Sequence, residues 1–290
     1  MKNKNMENTN NVNLLEEIIN TATVSVFFID DNQKVTADDY ATIDEIKTIA
    51  KKCRSQVIMG DDLELTSQYR VQGGTDYIQT IKFFLGLNDE ECTYSNNNSY
   101  DFKVFDDPNQ MFDAIKEKDF ESQLKQSNDA GDIVPSPEKY NGHCRVVAGY
   151  TYEWVSEHGT RDGKCDVIIS NKNFAKKWNL QSGSGVTAYS WVDDPLSVDE
   201  IGCVHTCQGV DLNYCGVIIG KDLVYRDGKI QFDKTKNFDK TARIKSAEDE
   251  LAKRLIQNTY YVLLTRGIMG TYVYCEDEAL NSYLKSLLKQ

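Results

Sequence analysis

Short apolar segments of strand length alternate with segments of helical spacing along this chain of 290 residues. The run Thr23–Ile29 is apolar and rich in β-forming residues, and two acids follow it, as in a buried parallel strand that ends at a site. Helical spacing follows at Ile43, Ile46 and Ile49. Because strands that alternate with helices form parallel sheets, we expect an α/β fold with helices on both faces.

The remaining predicted elements continue this alternation. Further strands are expected at Val57–Met59, Phe102–Phe105, Cys144–Ala148, Val167–Ile169 and Thr271–Cys275, and in two apolar segments between Ile201 and Ile219. Further helices are expected at Asn13–Asn20, Tyr77–Leu85, Asp107–Lys125, Phe174–Trp178, Glu248–Leu264 and Glu278–Leu288. Turn-forming residues predict loops at Asp89–Ser99 and Gln126–Asn141.

Composition limits the classes of function. The net charge of -12 argues against a broadly basic nucleic-acid-binding surface, although it leaves a local groove open. The sequence has no apolar run of the roughly 18 to 20 residues that cross a bilayer, and its polar N-terminus MKNKNMENTNN predicts disorder. The eight cysteines are scattered without CxxC pairs. We therefore expect a cytoplasmic protein without membrane partners.

The first candidate site lies in VSVFFIDDNQKV, where the apolar run ends in Asp30 and Asp31. In such an arrangement one carboxylate holds Mg²⁺ through water and the next polarises the attacking water. Gln33 sits where a side-chain amide can report on the γ-phosphate of a nucleotide. The alternative is a strand followed by an ordinary polar turn.

The densest polar cluster interrupts two apolar segments in IGCVHTCQGVDLNYCGVIIG, residues 201–220. Its members are His205, Thr206, Gln208, Gly209 and Asp211. Buried sheets rarely tolerate such groups without a binding role.

Zinc is an alternative explanation of the same cluster. Cys203, His205, Cys207 and Cys215 are all metal-ligand types, and residues 203, 205 and 207 share one face if the segment is a strand. Structural zinc sites favour CxxC knuckles on turns, which this segment does not contain. We therefore expect no structural metal here.

Two arginines are candidate phosphate contacts. Arg266 ends an apolar helix just before Gly267, where a rigid guanidinium can reach a phosphate. The alternative is a helix C-terminus, where a basic residue and a glycine are both expected. Arg70, in ELTSQYR, lies in a polar turn and is by itself an ordinary solvated charge.

Taken in order, DDNQ, QYR, HTCQGVD and LLTRG resemble the motifs of superfamily 1 helicases. The surrounding segments narrow the resemblance to the helicase domain of the Schlafen group 3-like family, from about residue 23 onward. These segments are FKVFDDPNQMFDAI, RVVAGYTYEW, KKWNL, GVIIGKDLVYRDG and YYVLLTRGIMGTYVYC. The resemblance implies a RecA-like parallel sheet flanked by helices. It also implies a partial first lobe at 23–99 and an intact second lobe at 100–290, after the disordered start and short helix that the sequence predicts at 1–22.

The resemblance also implies roles for the candidate residues. Asp30 holds Mg²⁺, Asp31 takes the catalytic carboxylate position and Gln33 contacts the nucleotide. Arg70 and Arg266 contact phosphate. The element that links nucleotide to the nucleic-acid track contains His205, Thr206, Gln208, Gly209 and Asp211.

The sequence departs from the family pattern at three places. Asp31 and Asp211 replace the usual Glu, and no GxxxxGK[ST] phosphate-binding loop occurs, since GVIIGKD has the wrong spacing. We therefore expect a degenerate or truncated NTPase that uses ATP and Mg²⁺ if active, with weak or no hydrolysis alone. The expected partners are DNA or RNA, or a protein that completes the first lobe. The alternatives are a non-catalytic interaction module, acting as a regulator or decoy, and one half of a split ATPase.

Overall fold

The computed structural model describes residues 13–38, 42–63, 65, 70–96, 99–130, 142–155, 163–178 and 191–289. The disorder predicted for residues 1–11 and most of the loop predicted at 126–141 lie outside this part of the chain. Contacts divide the chain into a smaller unit, residues 1–34 and 38–66, and a larger unit, residues 35–37 and 67–290. Within the described residues, no helix combines the length and apolar character needed to span a bilayer.

All the strands in the described part of the chain lie in the larger unit. They are β1 (Tyr94–Ser95), β2 (Asp101–Val104), β3 (Cys144–Ala148), β4 (Val167–Ile169), β5 (Phe174–Lys176), β6 (Ile201–Gly202), β7 (Leu212–Ile219), β8 (Leu223–Arg226), β9 (Lys229–Phe232), β10 (Gly267–Cys275) and β11 (Leu288–Lys289). A central parallel sheet has the order β2-β10-β7-β3-β6. Its inner strands β3, β7 and β10 are buried along most of their length, as the continuous apolar runs predict.

Seven helices accompany these strands in the described residues. They are α1 (Leu14–Thr21), α2 (Ile43–Lys52), α3 (Gly74–Phe84), α4 (Pro108–Ala130), α5 (Val204–Cys207), α6 (Asp249–Leu264) and α7 (Glu278–Ser286). The helices α4, α6 and α7 pack against the central sheet. The predicted α/β fold, a parallel sheet flanked by helices and consistent with a RecA-like arrangement, is therefore confirmed.

The smaller unit corrects two strand predictions. Thr23–Ile29 is extended but pairs with no strand among the described residues, and Val24, Val26 and Phe28 are exposed. Val57–Met59 is likewise exposed and unpaired. A parallel strand is stable only beside a hydrogen-bonded neighbour, and the described residues of this unit supply none. The predicted helices are confirmed, with Asn13 capping α1 and a capping box at the start of α2.

Some boundaries in the larger unit also differ from prediction. The segment expected to form a helix at Phe174–Trp178 instead forms β5, which pairs antiparallel with β4. Asn173, with φ of 50°, makes the tight turn between them, and this local turn chemistry outweighs the helical spacing. The helix expected to end near Lys125 continues to Ala130, and the last central strand starts at Gly267 rather than Thr271.

Contacts place residues 67–99 with the larger unit, although the sequence assigned them to the first lobe. Tyr77 of α3 donates a hydrogen bond to the Leu264 carbonyl at 2.7 Å and packs edge-on against Phe102 at 5.1 Å. The strand β1 pairs with β11 at the other end of the sequence. These long-range contacts explain the grouping, and the division into two lobes at residue 99 stays a prediction.

A buried ion pair joins α4 to β3. Arg145 is fully buried, and its Nη1 lies 3.0 Å from Oδ1 of Asp119. Its Nε donates to Ser197 Oγ at 2.7 Å, and Nη2 donates to the carbonyls of Val192 and Asp194 at 2.7 and 2.9 Å. Every nitrogen of this guanidinium therefore has a partner in the interior, as a buried charge requires.

Trp154, Trp178 and Trp191 could stack on bases, but the sequence favours core packing for all three. Trp178 and Trp191 are almost completely buried, and Trp154 is partly buried against the core. Core packing is therefore confirmed for Trp178 and Trp191.

Candidate functional site

The amino ends of β7 and β10 bring two separate sequence motifs together. The Leu212 amide, which begins β7, donates to the carbonyl of Arg266 at 3.1 Å, directly before β10. Asp211 precedes the first of these strands and Arg266 precedes the second. The two residues are 55 positions apart in sequence but lie at the same edge of the sheet because the strands are parallel neighbours.

Arg266 is a buried cation without a buried carboxylate. It is 1% exposed, and its Nε and Nη1 donate to the carbonyls of Val262 and Val210 at 3.2 and 3.5 Å. Among the described residues, no carboxylate lies within ion-pair distance of its guanidinium. Buried charges are normally paired, and the described residues give this guanidinium carbonyl acceptors rather than a carboxylate.

Arg70 and Asp211 form an ion pair near Arg266. Arg70 Nε lies 2.7 Å from Asp211 Oδ1, and the two side chains are 38% and 53% exposed. Burial lowers the pKa of the Arg266 guanidinium from its usual value, and the nearby charge of Arg70 lowers it further, whereas Asp211 opposes this shift. Two cations and one acid from three separate motifs therefore share one locality.

Removing Asp211 is expected to cost more stability than removing Arg70, because Asp211→Ala leaves two neighbouring arginines without the acid between them. We expect the Arg70–Asp211 coupling to be about 0.5 to 1 kcal/mol, since both side chains are partly exposed. A double-mutant cycle on the free energy of urea unfolding measures this coupling. A coupling of zero that does not change with salt would contradict the geometry.

A glycine supports this edge of the sheet. The pairing of β10 with β7 changes register between Gly267 and Gly270. A Cβ placed on Gly267 would overlap the carbonyl oxygen of Gly270 in the same bulge. Any larger residue at 267 must therefore displace the backbone that carries Arg266.

The polar cluster between the two apolar segments forms α5 and the turn that follows it. Thr206 is buried, and its hydroxyl accepts from the Cys203 amide and donates to the Cys203 carbonyl, both at 2.8 Å. Gln208 and Gly209 are exposed, and Gly209 has φ of 89° in the left-handed region. Thr206 thus fixes the turn, while Gln208 and Gly209 are presented to solvent beside Asp211.

His205 has a partner that the sequence did not indicate. Its Nε2 lies 2.8 Å from Oδ2 of Asp239, a buried carboxylate whose Oδ1 accepts from the amides of Thr241 and Ala242. The bond fixes the orientation of the His205 ring at one end of α5. Asp239 lies 34 residues away in the sequence, so no local pattern links it to His205.

The zinc alternative assumed a strand that the structure does not contain. Residues 204–207 form α5, so Cys203, His205 and Cys207 do not line one strand face. Burial raises the pKa of the Cys207 thiol to about 12, which disfavours the thiolate that binds zinc. The described residues include no cluster of three potential ligands placed to hold a metal ion.

The acidic candidates lie in the smaller unit. Asp30 is exposed and caps a short 3₁₀ helix, accepting from the amide and side chain of Asn32 at 2.9 and 3.0 Å and from Gln33 Nε2 at 3.4 Å. Asp31 Oδ1 accepts from the Ile43 amide that begins α2 at 3.1 Å. Exposed carboxylate oxygens fit the ligand preference of Mg²⁺, and Asp30 is the more accessible of the two.

The comparisons with known proteins agree with the family resemblance. The family model described as the Schlafen group 3, DNA/RNA helicase domain matches residues 1–277. A protein of Saccharomyces cerevisiae described as uncharacterized is 29% identical over 294 residues, which cover 94% of this chain and 59% of the yeast protein. The chain thus spans less than two thirds of that relative's length. No solved structure matches it. The chain belongs to the Schlafen group 3 helicase-domain family.

Proposed function

We propose that this member of the Schlafen group 3 helicase-domain family is part of a helicase-like NTPase that binds DNA or RNA and holds the phosphates of ATP through Arg266 and Arg70. The observation that carries the proposal is the buried Arg266 guanidinium, which is hydrogen-bonded to carbonyls but has no carboxylate partner among the described residues. A planar guanidinium in this state suits a phosphate, which offers two acceptors in one plane. Arg70, oriented by Asp211, supplies a second positive charge at the same edge.

Asp30 is the proposed Mg²⁺ ligand, since its carboxylate is exposed and oxygen ligands are those that Mg²⁺ prefers. When bound, Mg²⁺ neutralises charge on the β- and γ-phosphates. Asp31 and Gln33 are the proposed positions for orienting the attacking water and contacting nucleotide. The hydrogen bond from Gln33 to Asp30 supports a common role, because it ties the amide to the proposed metal ligand.

The proposed hydrolysis is weak or absent for this chain alone. The sequence contains no GxxxxGK[ST] loop, whose backbone amides and Lys supply most of the grip on the β- and γ-phosphates. Full turnover would then require that loop from another polypeptide segment, as in a split ATPase. The exposed apolar side chains of residues 24–28 and 57–59 support a protein partner for the smaller unit.

Nucleotide binding by the purified chain tests the proposal. With a fluorescent ATP analogue and Mg²⁺, we expect Arg266→Lys to weaken binding about tenfold or more, because Lys keeps the charge but loses the paired hydrogen bonds. Arg70→Ala is expected to weaken binding to a smaller extent. Arg226→Ala is the matched control, since Arg226 is exposed and paired with Asp277 at 2.6 Å.

Two results would contradict this proposal. Equal affinities for the native chain and Arg266→Lys would remove the phosphate role and favour the non-catalytic interaction module. Fast ATP turnover by the chain alone would show that hydrolysis does not need the absent loop. The assays are run with and without single-stranded nucleic acid, because the proposal includes binding to DNA or RNA.

A further inference from the structure

A short segment concentrates positive charge in a chain whose net charge is -12. The basic loop, residues 234–247, contains five basic residues and one acidic residue. The basic residues are Lys234, Lys236, Lys240, Arg243 and Lys245. The acid, Asp239, is buried and bonded to the loop's own amides and to His205. Lys234 is paired with Asp249, just after the loop, at 2.7 Å, so the outward-facing positive charge comes from the other basic residues.

Interior contacts hold the basic loop in one conformation. The Phe238 amide donates to the Tyr150 carbonyl at 2.6 Å, and Asn237 Nδ2 donates to the buried Asp222 at 3.3 Å. Lys234 closes the loop, because its Nζ donates to the Ala247 carbonyl at 2.7 Å. The loop is therefore pre-organised, which reduces the entropy lost when a ligand binds.

Alternation along the basic loop directs its cationic side chains outward. Lys236, Phe238 and Lys240 are exposed, while Asn237 and Asp239 between them are buried. Among the described residues, no carboxylate lies within ion-pair distance of Lys236 or Lys240. These two ammonium groups thus keep their charge available to an external anion.

The loop also presents an aromatic ring. Phe238 is 39% exposed, and Lys245 Nζ lies 3.9 Å from the centre of its ring. A ring among lysines combines a stacking surface with charge for a phosphate backbone. Ala242 and Ile244 are buried, so Phe238 is the loop's exposed large apolar side chain. A membrane-binding element would present a broader apolar face.

We propose that the basic loop binds the phosphate backbone of a single-stranded nucleic acid through Lys236 and Lys240, and that Phe238 stacks on a base. An accessible ring favours unpaired bases over a duplex, in which the bases are already stacked. The hydrogen bond between His205 Nε2 and Asp239 Oδ2 places the loop beside the polar cluster of α5. The inference rests on the nucleic-acid-binding part of the proposed function and supplies its contact surface.

Charge reversal tests the phosphate contacts. In fluorescence anisotropy with labelled oligothymidylate and oligouridylate, Lys236→Glu/Lys240→Glu is expected to weaken binding about tenfold or more at low salt. The slope of log affinity against log salt should fall by about 1.4, since each lost single-strand phosphate contact removes about 0.7. Lys51→Glu/Lys289→Glu makes the same charge change at exposed positions outside the loop and should alter affinity by less than about twofold.

Phe238→Ala tests the stacking contact separately. It is expected to weaken oligonucleotide binding about fivefold while leaving the salt slope unchanged, because stacking does not release counterions. Circular dichroism and thermal unfolding verify that each variant folds. Unchanged affinity in folded Phe238→Ala would overturn the stacking contact.

The possible failures are distinguishable. If the native chain binds neither oligonucleotide at low salt, the inference and the nucleic-acid-binding part of the proposed function both fail, while the ATP result for Arg266 stands separately. If it binds but both double variants lose the same affinity, the loop assignment alone is overturned. If the loop variant loses binding only to phosphatidylserine vesicles, the loop recognises lipid and the proposal is wrong.

Discussion

Replacing Arg145 with alanine is expected to lower the free energy of unfolding of the larger unit by about 3 to 5 kcal/mol. The substitution leaves Asp119, only 4% exposed in its side chain, as a buried charge without its cation. It also removes the donors to Ser197 and to the carbonyls of Val192 and Asp194. In thermal unfolding this loss corresponds to a decrease in Tm of roughly 6 to 20 °C for a unit of this size.

Lys116→Ala is the matched control for Arg145→Ala. Lys116 lies on α4, the helix that carries Asp119, and pairs with Asp199 at 2.6 Å, but the two side chains are 42% and 57% exposed. Water screens this pair, so its loss should cost less than about 1 kcal/mol. Equal effects of the two substitutions in urea unfolding would show that the burial of Arg145 does not determine its contribution.

Asp222→Asn is expected to change the free energy of unfolding more favourably at pH 8 than at pH 5, each compared with the native chain at the same pH. Burial raises the pKa of Asp222 to about 7 from the usual 3.8, while the hydrogen bonds from Tyr260 and Asn237 lower it. A folded-state pKa above the unfolded value gives stability that is complete below pH 3.8 and is lost as pH rises through 7. Asparagine has no proton to lose and removes this pH dependence.

The effect of Asp222→Asn on the free energy of unfolding is expected to differ between pH 5 and pH 8 by on the order of 2 to 4 kcal/mol, from about 1.4 kcal/mol per pKa unit. The substitution also replaces the acceptor for Asn237 Nδ2, and that loss is the same at both pH values. The comparison therefore isolates ionisation. Asp227→Asn, at an exposed position in the turn between β8 and β9, should show the same pH dependence as the native chain. If the stability of Asp222→Asn changes with pH in the same way as that of the native chain, the prediction is wrong.

Local patterns in the sequence predicted most of the larger unit. The strand Cys144–Ala148 has its predicted limits, and the helix predicted at Glu248–Leu264 begins one residue later. These segments carry strong periodicity and pack on both sides, so their local preference and their environment agree. The family resemblance is also confirmed, and the structure brings Arg70, Asp211 and Arg266 together. Their roles with nucleotide stay predictions.

The sequence-based predictions are wrong or incomplete where a segment distant in sequence determines the structure. The run Thr23–Ile29 has strong β propensity, but hydrogen bonds from another strand are needed to make a strand, and propensity does not supply them. For the same reason the sequence did not indicate Asp239, because its contact with His205 forms only where the chain returns 34 residues later. The basic loop was also missed, because the net charge of the whole chain conceals a local excess of lysine.

The helix α5 connects the two surfaces proposed for ligands. His205 within it bonds to Asp239 of the basic loop, and Asp211 in the turn after it pairs with Arg70. Thermodynamic linkage makes any coupling through this helix reciprocal. The factor by which an oligonucleotide changes the affinity for ATP must equal the factor by which ATP changes the affinity for the oligonucleotide. One coupling constant therefore describes both the effect of the oligonucleotide on ATP binding and the effect of ATP on oligonucleotide binding.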